Sequence, residues 1–298
     1  MTKHGAMTGR EKTELLFLAA VWGGSFLFMR IGVPELGASA LMFLRVGLAA
    51  LAMLPLVALR AGVLGTMWRH WRPLLLVGAF NMAIPFMLYG YAGKTLAAGF
   101  LAVGNASTPI WSAIVGWLWL RDRLSPMRVL GLVVSMIGIL VLVWDKLDFD
   151  QGGSGPAVLA AVAAPMMYGV GANASKRYLA GVDALGNTVG NLLAATLILL
   201  PLAVWNWPTQ PVSTLAWLAA LLLSLVCTGV AYVLFYRLVA SVGPTGATSV
   251  TFLAPVFGIL WGLLFLGEPI TQRIVIGAAI ILAGTALAMG LVPRRATA

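Results

Sequence analysis

Charge-poor apolar runs of about 20 residues recur from one end of this sequence to the other, and no other feature limits its fold so tightly. As an α-helix, such a run matches the ~30 Å hydrocarbon core of a bilayer. A helix also satisfies its own backbone N–H and C=O groups, which lipid cannot do. Composition agrees, since 61% of the 298 residues are hydrophobic and only 9% are charged. A soluble domain carries about 25% charged residues to hydrate its surface. With this make-up it would present Leu, Ile and Val over much of its area and aggregate. The sequence therefore predicts an all-α, polytopic membrane protein.

The predicted spans are 13–33, 37–59, 73–93, 95–120 and 127–144, then 156–176, 184–205, 213–239, 246–266 and 273–292. They form ten transmembrane helices with short connections. A polar tail, 1–12, precedes them and a second tail, 293–298, follows. An acidic, Gly-rich linker, 145–155, divides two units, 13–144 and 156–292. Nothing near the start resembles a cleavage site, so no removed signal peptide is expected. Fourteen Lys and Arg fall on the side of the termini, four fall on the other side, and Arg45 lies within a span. Basic loops stay inside, so both termini are expected in the cytoplasm. The net charge of +10 is spread over these loops, not gathered into a patch with interleaved aromatics, so nucleic acid is not an expected partner. The single cysteine, Cys227, allows no internal disulfide.

A shift of 146 residues lays the second half on the first. Trp22-Gly23 falls on Tyr168-Gly169, Arg30 on Lys176, and Ala38 on Ala184. Pro55 falls on Pro201, Pro109 on Pro255, Gly116 on Gly262 and Asp122 on Glu268. Gly131 falls on Gly277 and Gly138 on Gly284. Five spans per half is an odd number, so the second half must enter the membrane from the opposite side. Inverted repeats of this kind are a recurring plan of secondary transporters, with a site near the midplane.

These residues resemble the drug/metabolite transporter superfamily, in its ten-helix EamA branch. Trp22-Gly23, Leu44-Arg45, Pro109, Pro255 and the Leu266-Gly267-Glu268-Pro269 turn look like its repeat signature, as do the Gly-rich closing helices. Within that family the chain is most similar to the YddG-type aromatic amino-acid exporters. The resemblance implies export of amino acids or other small metabolites across the bacterial cytoplasmic (inner) membrane. It implies membrane lipid and a small-molecule substrate as partners, no cofactor and no enzymatic activity. The first half departs from the pattern with Arg121-Asp122-Arg123, and the second has Asn191 where the first has Arg45, so the halves are not equivalent.

A path through lipid needs polar groups that face the bundle interior, and helical spacing selects candidates. These are Trp22 and Ser25 in the first span, Asn81 and Tyr89 in the third, and Asn105, Thr108 and Trp111 in the fourth. Tyr168 and Asn173 follow in the sixth, Thr228 and Tyr232 in the eighth, and Thr248, Thr251 and Phe252 in the ninth. Ser and Thr also serve as ordinary packing groups between membrane helices. Pro85, Pro109, Pro165 and Pro255 each free a backbone carbonyl and bend a helix, for gating or simply for packing. Arg45 is the clear candidate for a charge within the membrane, which is costly and usually functional. A structural or gating role, a substrate carboxylate, and snorkelling to the interface are its alternatives.

No Asp or Glu lies well within a span, so a carboxylate proton relay has no obvious member, and facilitated export is the expectation. Gly93-Lys94-Thr95 resembles the tail of a phosphate-binding loop, but position 88 is Leu where Gly is required. No metal-ligand or nucleophile–base pattern occurs. Gly186 to Gly190 and Gly258 to Gly262 have GxxxG spacing, compatible with a monomer or a weak homo-oligomer. The competing readings are a drug or nucleotide-sugar carrier, a channel, and an intramembrane lipid-modifying enzyme.

Overall fold

The computed structural model describes residues 7–150 and 153–289, and every regular element among them is helical. The first element, Gly9–Ala58, is a 50-residue helical stretch that would measure ~75 Å if straight. It is not straight. Gly37 stands at φ 72° and ψ 160°, backbone angles that only glycine adopts readily, and the chain doubles back there. Leu41 packs against Gly32, and Arg45 Nη1 lies 4.0 Å from Met29 Sδ, although 16 residues separate that pair in sequence. The stretch is thus a hairpin of α1 (9–36) and α2 (38–58).

The remaining helices are α3 (Val63–Arg69), α4 (Trp71–Ala92), α5 (Ala98–Leu120), α6 (Pro126–Val143), α7 (Gly155–Tyr178), α8 (Ala184–Trp205), α9 (Thr214–Gly243), α10 (Gly246–Leu266) and α11 (Gln272–Ala288). Eight helices are long and apolar enough to cross a membrane when Gly9–Ala58 counts as one, and α11 is a shorter apolar helix. The expected ten differs from eight for these two reasons. The sequence divides this stretch at 34–36, next to the Gly37 turn, into two spans, and it extends the last span to 292, past the described residues. The tail 293–298 also lies outside them. At the other end the helix starts at Gly9, inside the expected tail 1–12. A capping box sets that start: the Glu11 N–H donates to Thr8 Oγ1, and the Thr8 N–H donates to the Glu11 carboxylate at 2.8 Å. Short α3 fills a connection read as loop.

Contacts between the halves obey the 146-residue shift. Gly131 faces Gly284, and Gly138 faces Gly277, along the packed pair α6 and α11. Gly23 of α1 lies on the backbone of Ala254 and Gly258 in α10, while its counterpart Gly169 of α7 lies on Trp111 and Ser112 in α5. Arg30 pairs with Glu268 at 3.1 Å, and the equivalent Lys176 pairs with Asp122 at 2.8 Å. Glu268 also accepts from the Ala98 N–H at the start of α5, whereas Asp122 stands just beyond its end. The two equivalent ion pairs therefore lie at opposite ends of a 23-residue helix, ~35 Å apart. A left-handed residue stops α5 at Arg121 (φ 57°) and α10 at the equivalent Gly267 (φ 64°).

Trp68, Trp71, Trp144, Trp205 and Trp207 are exposed near helix ends, as a belt at the membrane–water interface requires. Both GxxxG spacings are used inside the chain. Gly258 meets Ala102 and Gly262 lies near Ala98, while Gly186 meets Val63 and Gly190 meets Leu74.

The turn at Gly37 is tied to the start of α9 by Glu35, an exposed residue that the expected spans 13–33 and 37–59 leave between them. Its carboxylate accepts from the Ser213 N–H at 2.6 Å and the Ser213 hydroxyl at 2.7 Å. The backbone bond first, then the hydroxyl, holds Glu35 below its ordinary pKa of 4.5. A carboxylate lowered in the folded state contributes stability that is present above its ordinary value and lost as pH falls through the folded one. The melting temperature in detergent is expected to fall as pH drops below that range, and Glu35→Gln is expected to flatten this part of the profile. A slope identical in both proteins would exclude the tie.

Candidate functional site

A cavity of about 360 Å³ lies at the centre of the bundle. Helix α1 lends it Trp22, Ser25, Phe26 and Met29, and α2 lends Arg45. Phe86 and Tyr89 come from α4, with Tyr168 and Ala172 from α7, Cys227 and Tyr232 from α9, and Thr251, Ala254 and Pro255 from α10. Helix α5 gives Ala102, Asn105, Ala106, Thr108, Pro109 and Ser112. Both halves of the chain thus build one chamber.

Local irregularities aim these groups. Helix α5 breaks between Asn105 and Thr108. Pro109 has no N–H to give the Asn105 carbonyl, and the Thr108 hydroxyl donates to it instead, at 2.8 Å. Tyr89 Oη donates to Asn105 Oδ1 at 3.1 Å, which fixes the amide against α4. π-Helical turns occupy Ala79–Ala83 in α4 and Leu222–Val230 in α9. The second leaves the Leu223 carbonyl to accept from Thr228 Oγ1 at 2.9 Å. Such turns widen a helix and re-aim its side chains.

Six aromatic rings stand in the wall, from Trp22, Phe26, Phe86, Tyr89, Tyr168 and Tyr232. Phe26 meets Tyr89 edge-on at 5.5 Å between centroids, Tyr89 lies 6.3 Å from Tyr168, and Trp22 meets Tyr232 edge-on at 6.3 Å. Arg45 is 7% exposed. Its guanidinium lies over the Phe86 ring, 3.8 Å from the centroid, and its Nε donates to Thr228 Oγ1 at 3.2 Å. Among the described residues, no Asp or Glu lines the cavity. The acidic partners of Arg30 and Lys176 stand at the bundle ends.

Among the residues expected from the sequence, Trp22, Ser25, Tyr89, Asn105, Thr108, Tyr168, Tyr232 and Thr251 line this cavity, with Arg45, Pro109 and Pro255. The others do not. Asn81 packs against Gly171. Asn173 donates to the Ser112 and Gly169 carbonyls, both at 2.8 Å, and so ties α7 to α5. Thr228 sits behind Arg45. The indole N–H of Trp111 is buried without a partner, off the cavity wall. Thr248 and Phe252 are partly buried beside the α10 start, and Pro85 and Pro165 are buried within their helices. Spacing along one helix finds a face, but it does not tell which helix covers that face. Met29, Phe86 and Cys227 were missed. Met29 is one turn beyond Ser25 and Phe86 is three residues before Tyr89, so extending each stripe finds both. Cys227 adjoins Thr228, and the lining alanines Ala102, Ala106, Ala172 and Ala254 carry no chemical signal.

Membrane-length helices around one polar and aromatic chamber define a multi-pass membrane transporter. The model of the EamA-like transporter family matches residues 14–144 and again 155–290, and the chain belongs to that family, within the drug/metabolite transporter superfamily. An "Uncharacterized transporter" of Archaeoglobus fulgidus is 27% identical over 93% of this chain and 97% of its own length. The "Probable terminal-alkyne amino-acid exporter" of Streptantibioticus cattleyicolor is 25% identical over 72% of this chain and 71% of its own. A solved crystal structure superposes with a TM-score of 0.67 over 97% of this chain and 100% of its own, at 19% identity, which shows a shared fold.

Proposed function

We propose that this chain is a secondary transporter that exports small metabolites, foremost aromatic or other neutral amino acids, by alternating access across a bacterial cytoplasmic membrane. Its ten crossings form inverted units, 13–144 and 156–292, with both termini cytoplasmic. The carrying observation is the unequal state of two equivalent ends. At the end away from Gly9, Arg30 and Glu268 are 26% and 11% exposed. Arg30 also donates to the Gly93 carbonyl, and Ala102 and Gly258 cross close by. At the Gly9 end, Lys176 and Asp122 are 62% and 42% exposed. Each equivalent glycine faces its end's carboxylate, Gly116 facing Asp122 with Asn173 and Gly262 facing Glu268, but only Gly262 also has Ala98 of α5 within contact. This is an inward-open arrangement, and exchanging the roles of the halves produces the outward-open one at similar energy. The aromatic chamber and the amino-acid exporter among the relatives support the substrate.

Purified protein in liposomes is expected to carry labelled Phe, Trp, Met or Thr faster than protein-free liposomes do. If all four fail while a cationic dye moves, the amino-acid substrate is wrong and the drug-carrier alternative takes its place.

A further inference from the structure

We propose that the cavity reads its substrate through a carboxylate held by Arg45, and that it offers the amine of an amino acid no charged partner. The inference rests on the transport reading above and names the group that this same site recognises.

A guanidinium carries five N–H donors. In Arg45 the Nε–H meets one oxygen, Thr228 Oγ1, while Nη1 faces only the Met29 sulfur and the guanidinium plane rests on Phe86. A buried cation is stable only when paired and hydrogen-bonded. Among the described residues, Arg45 has no ion-pair partner. The carboxylates that do form ion pairs serve other cations: Glu268 holds Arg30, Asp122 holds Lys176, Glu14 holds Arg10 and Arg237, Asp183 holds Arg60, and Asp145 holds Arg273. The missing anion must therefore come from the ligand. A second donor stands on the same wall. Ser25 Oγ is buried, its residue only 4% exposed, and it makes no hydrogen bond that meets ordinary geometry, with the Cys227 thiol its neighbour. Ser25 is one helical turn from Met29, which touches Arg45, so the hydroxyl and the guanidinium can share one carboxylate. Hydrogen bonds between charged and neutral partners of this kind are the strong ones.

The remaining wall decides the rest of the molecule. Tyr89, Tyr168 and Tyr232 offer flat surfaces to an apolar or aromatic body. An ammonium would find no carboxylate there, and although the Trp22 and tyrosine faces attract cations, the Arg45 charge beside them opposes a second one. A carboxylate on Arg45 makes a neutral pair inside the membrane, whereas a plain amine would add a second cation beside the first.

The test uses 3-phenylpropionate, its amide, 2-phenylethylamine and phenylalanine. Binding to the purified full chain in detergent is measured by calorimetry, and flux is measured separately in proteoliposomes. The acid and phenylalanine are expected to bind at least about tenfold more tightly than the amide or the amine. Arg45→Gln, checked for folding by size exclusion, is expected to erase the difference between acid and amide. The acid–amide contrast in the unaltered chain decides the matter even if that variant does not fold. Amide or amine binding as tight as the acid overturns carboxylate recognition, as does a folded Arg45→Gln that still prefers the acid. If the amine moves and the acid does not, recognition falls and transport stands. If the acid binds selectively but no member of the panel crosses, recognition stands and the transport reading falls. If nothing binds and nothing moves, both fall.

Discussion

In Glu268→Gln, a cysteine at position 29 becomes reactive from the membrane face that the parent protein seals. The expectation follows from the bonds that Glu268 makes. One oxygen accepts from Arg30 Nε at 3.1 Å and the other from the Ala98 N–H at 2.7 Å. Together with the bonds from Arg30 to the Gly93 and Lys94 carbonyls, they join the ends of α1, α4, α5 and α10. Hydrogen bonds to charged groups contribute about 1.5–3 kcal/mol each. Removing the charge is therefore expected to cost the sealed state about 3 kcal/mol, enough to shift an open–sealed equilibrium ~100-fold. The measurement uses Met29→Cys with Cys227→Ala, a membrane-impermeant thiol reagent, and vesicles of both orientations. Met29 lines the cavity beside Arg30 and is 1% exposed, so its labelling reports opening of that end. Asp122→Asn is the control. Its pair with Lys176 is exposed, and exposed pairs contribute only ~0–1 kcal/mol. Equal labelling rates in Glu268→Gln and its parent would show that the pair is not a seal.

Gly23→Leu and Gly169→Leu are each expected to abolish folded yield. A Cβ at Gly23 would lie 2.6 Å from the Ala254 carbonyl oxygen and 2.7 Å from the Gly258 nitrogen. One at Gly169 would lie 2.8 Å from the Ser112 nitrogen. The obstacles are backbone atoms of a facing helix, so no rotamer change relieves them. Overpacking costs about 1–3 kcal/mol where side chains can give way, and more where they cannot. Gly104→Ala is the contrast, because no heavy atom comes within 4 Å of its Cβ position. There the intrinsic helix preference for Ala over Gly, about 1 kcal/mol, acts unopposed. Fluorescence-detected size exclusion after heating ranks the three. If Gly23→Leu melts like Gly104→Ala, α1 and α10 do not cross as described.

Much of this was legible beforehand for identifiable reasons. The spans are written as apolar length, because lipid tolerates little else. The repeat is written as a register, because equivalent crossings need equivalent small residues, as Gly23 and Gly169 illustrate. Arg45 stood out because a lone cation in an apolar run is rare. Helical spacing puts Asn81 and Asn173 on the path, yet Asn81 packs against Gly171 and Asn173 spends its amide on carbonyls of α5 and α7. Phe86 carries no signal of its role in the sequence, because that role comes from Arg45 lying on its ring.

The sequence by itself determined that this chain is helical and membrane-bound and repeats its plan, because backbone satisfaction in lipid and the recurrence of small residues act along the chain. Only the tertiary structure decided where Gly9–Ala58 folds back, which polar groups meet in one chamber, and which of two equivalent ion pairs is the more buried. Those outcomes depend on what lies across from each residue. A helix's own periodicity sets the direction of a side chain but not its neighbour.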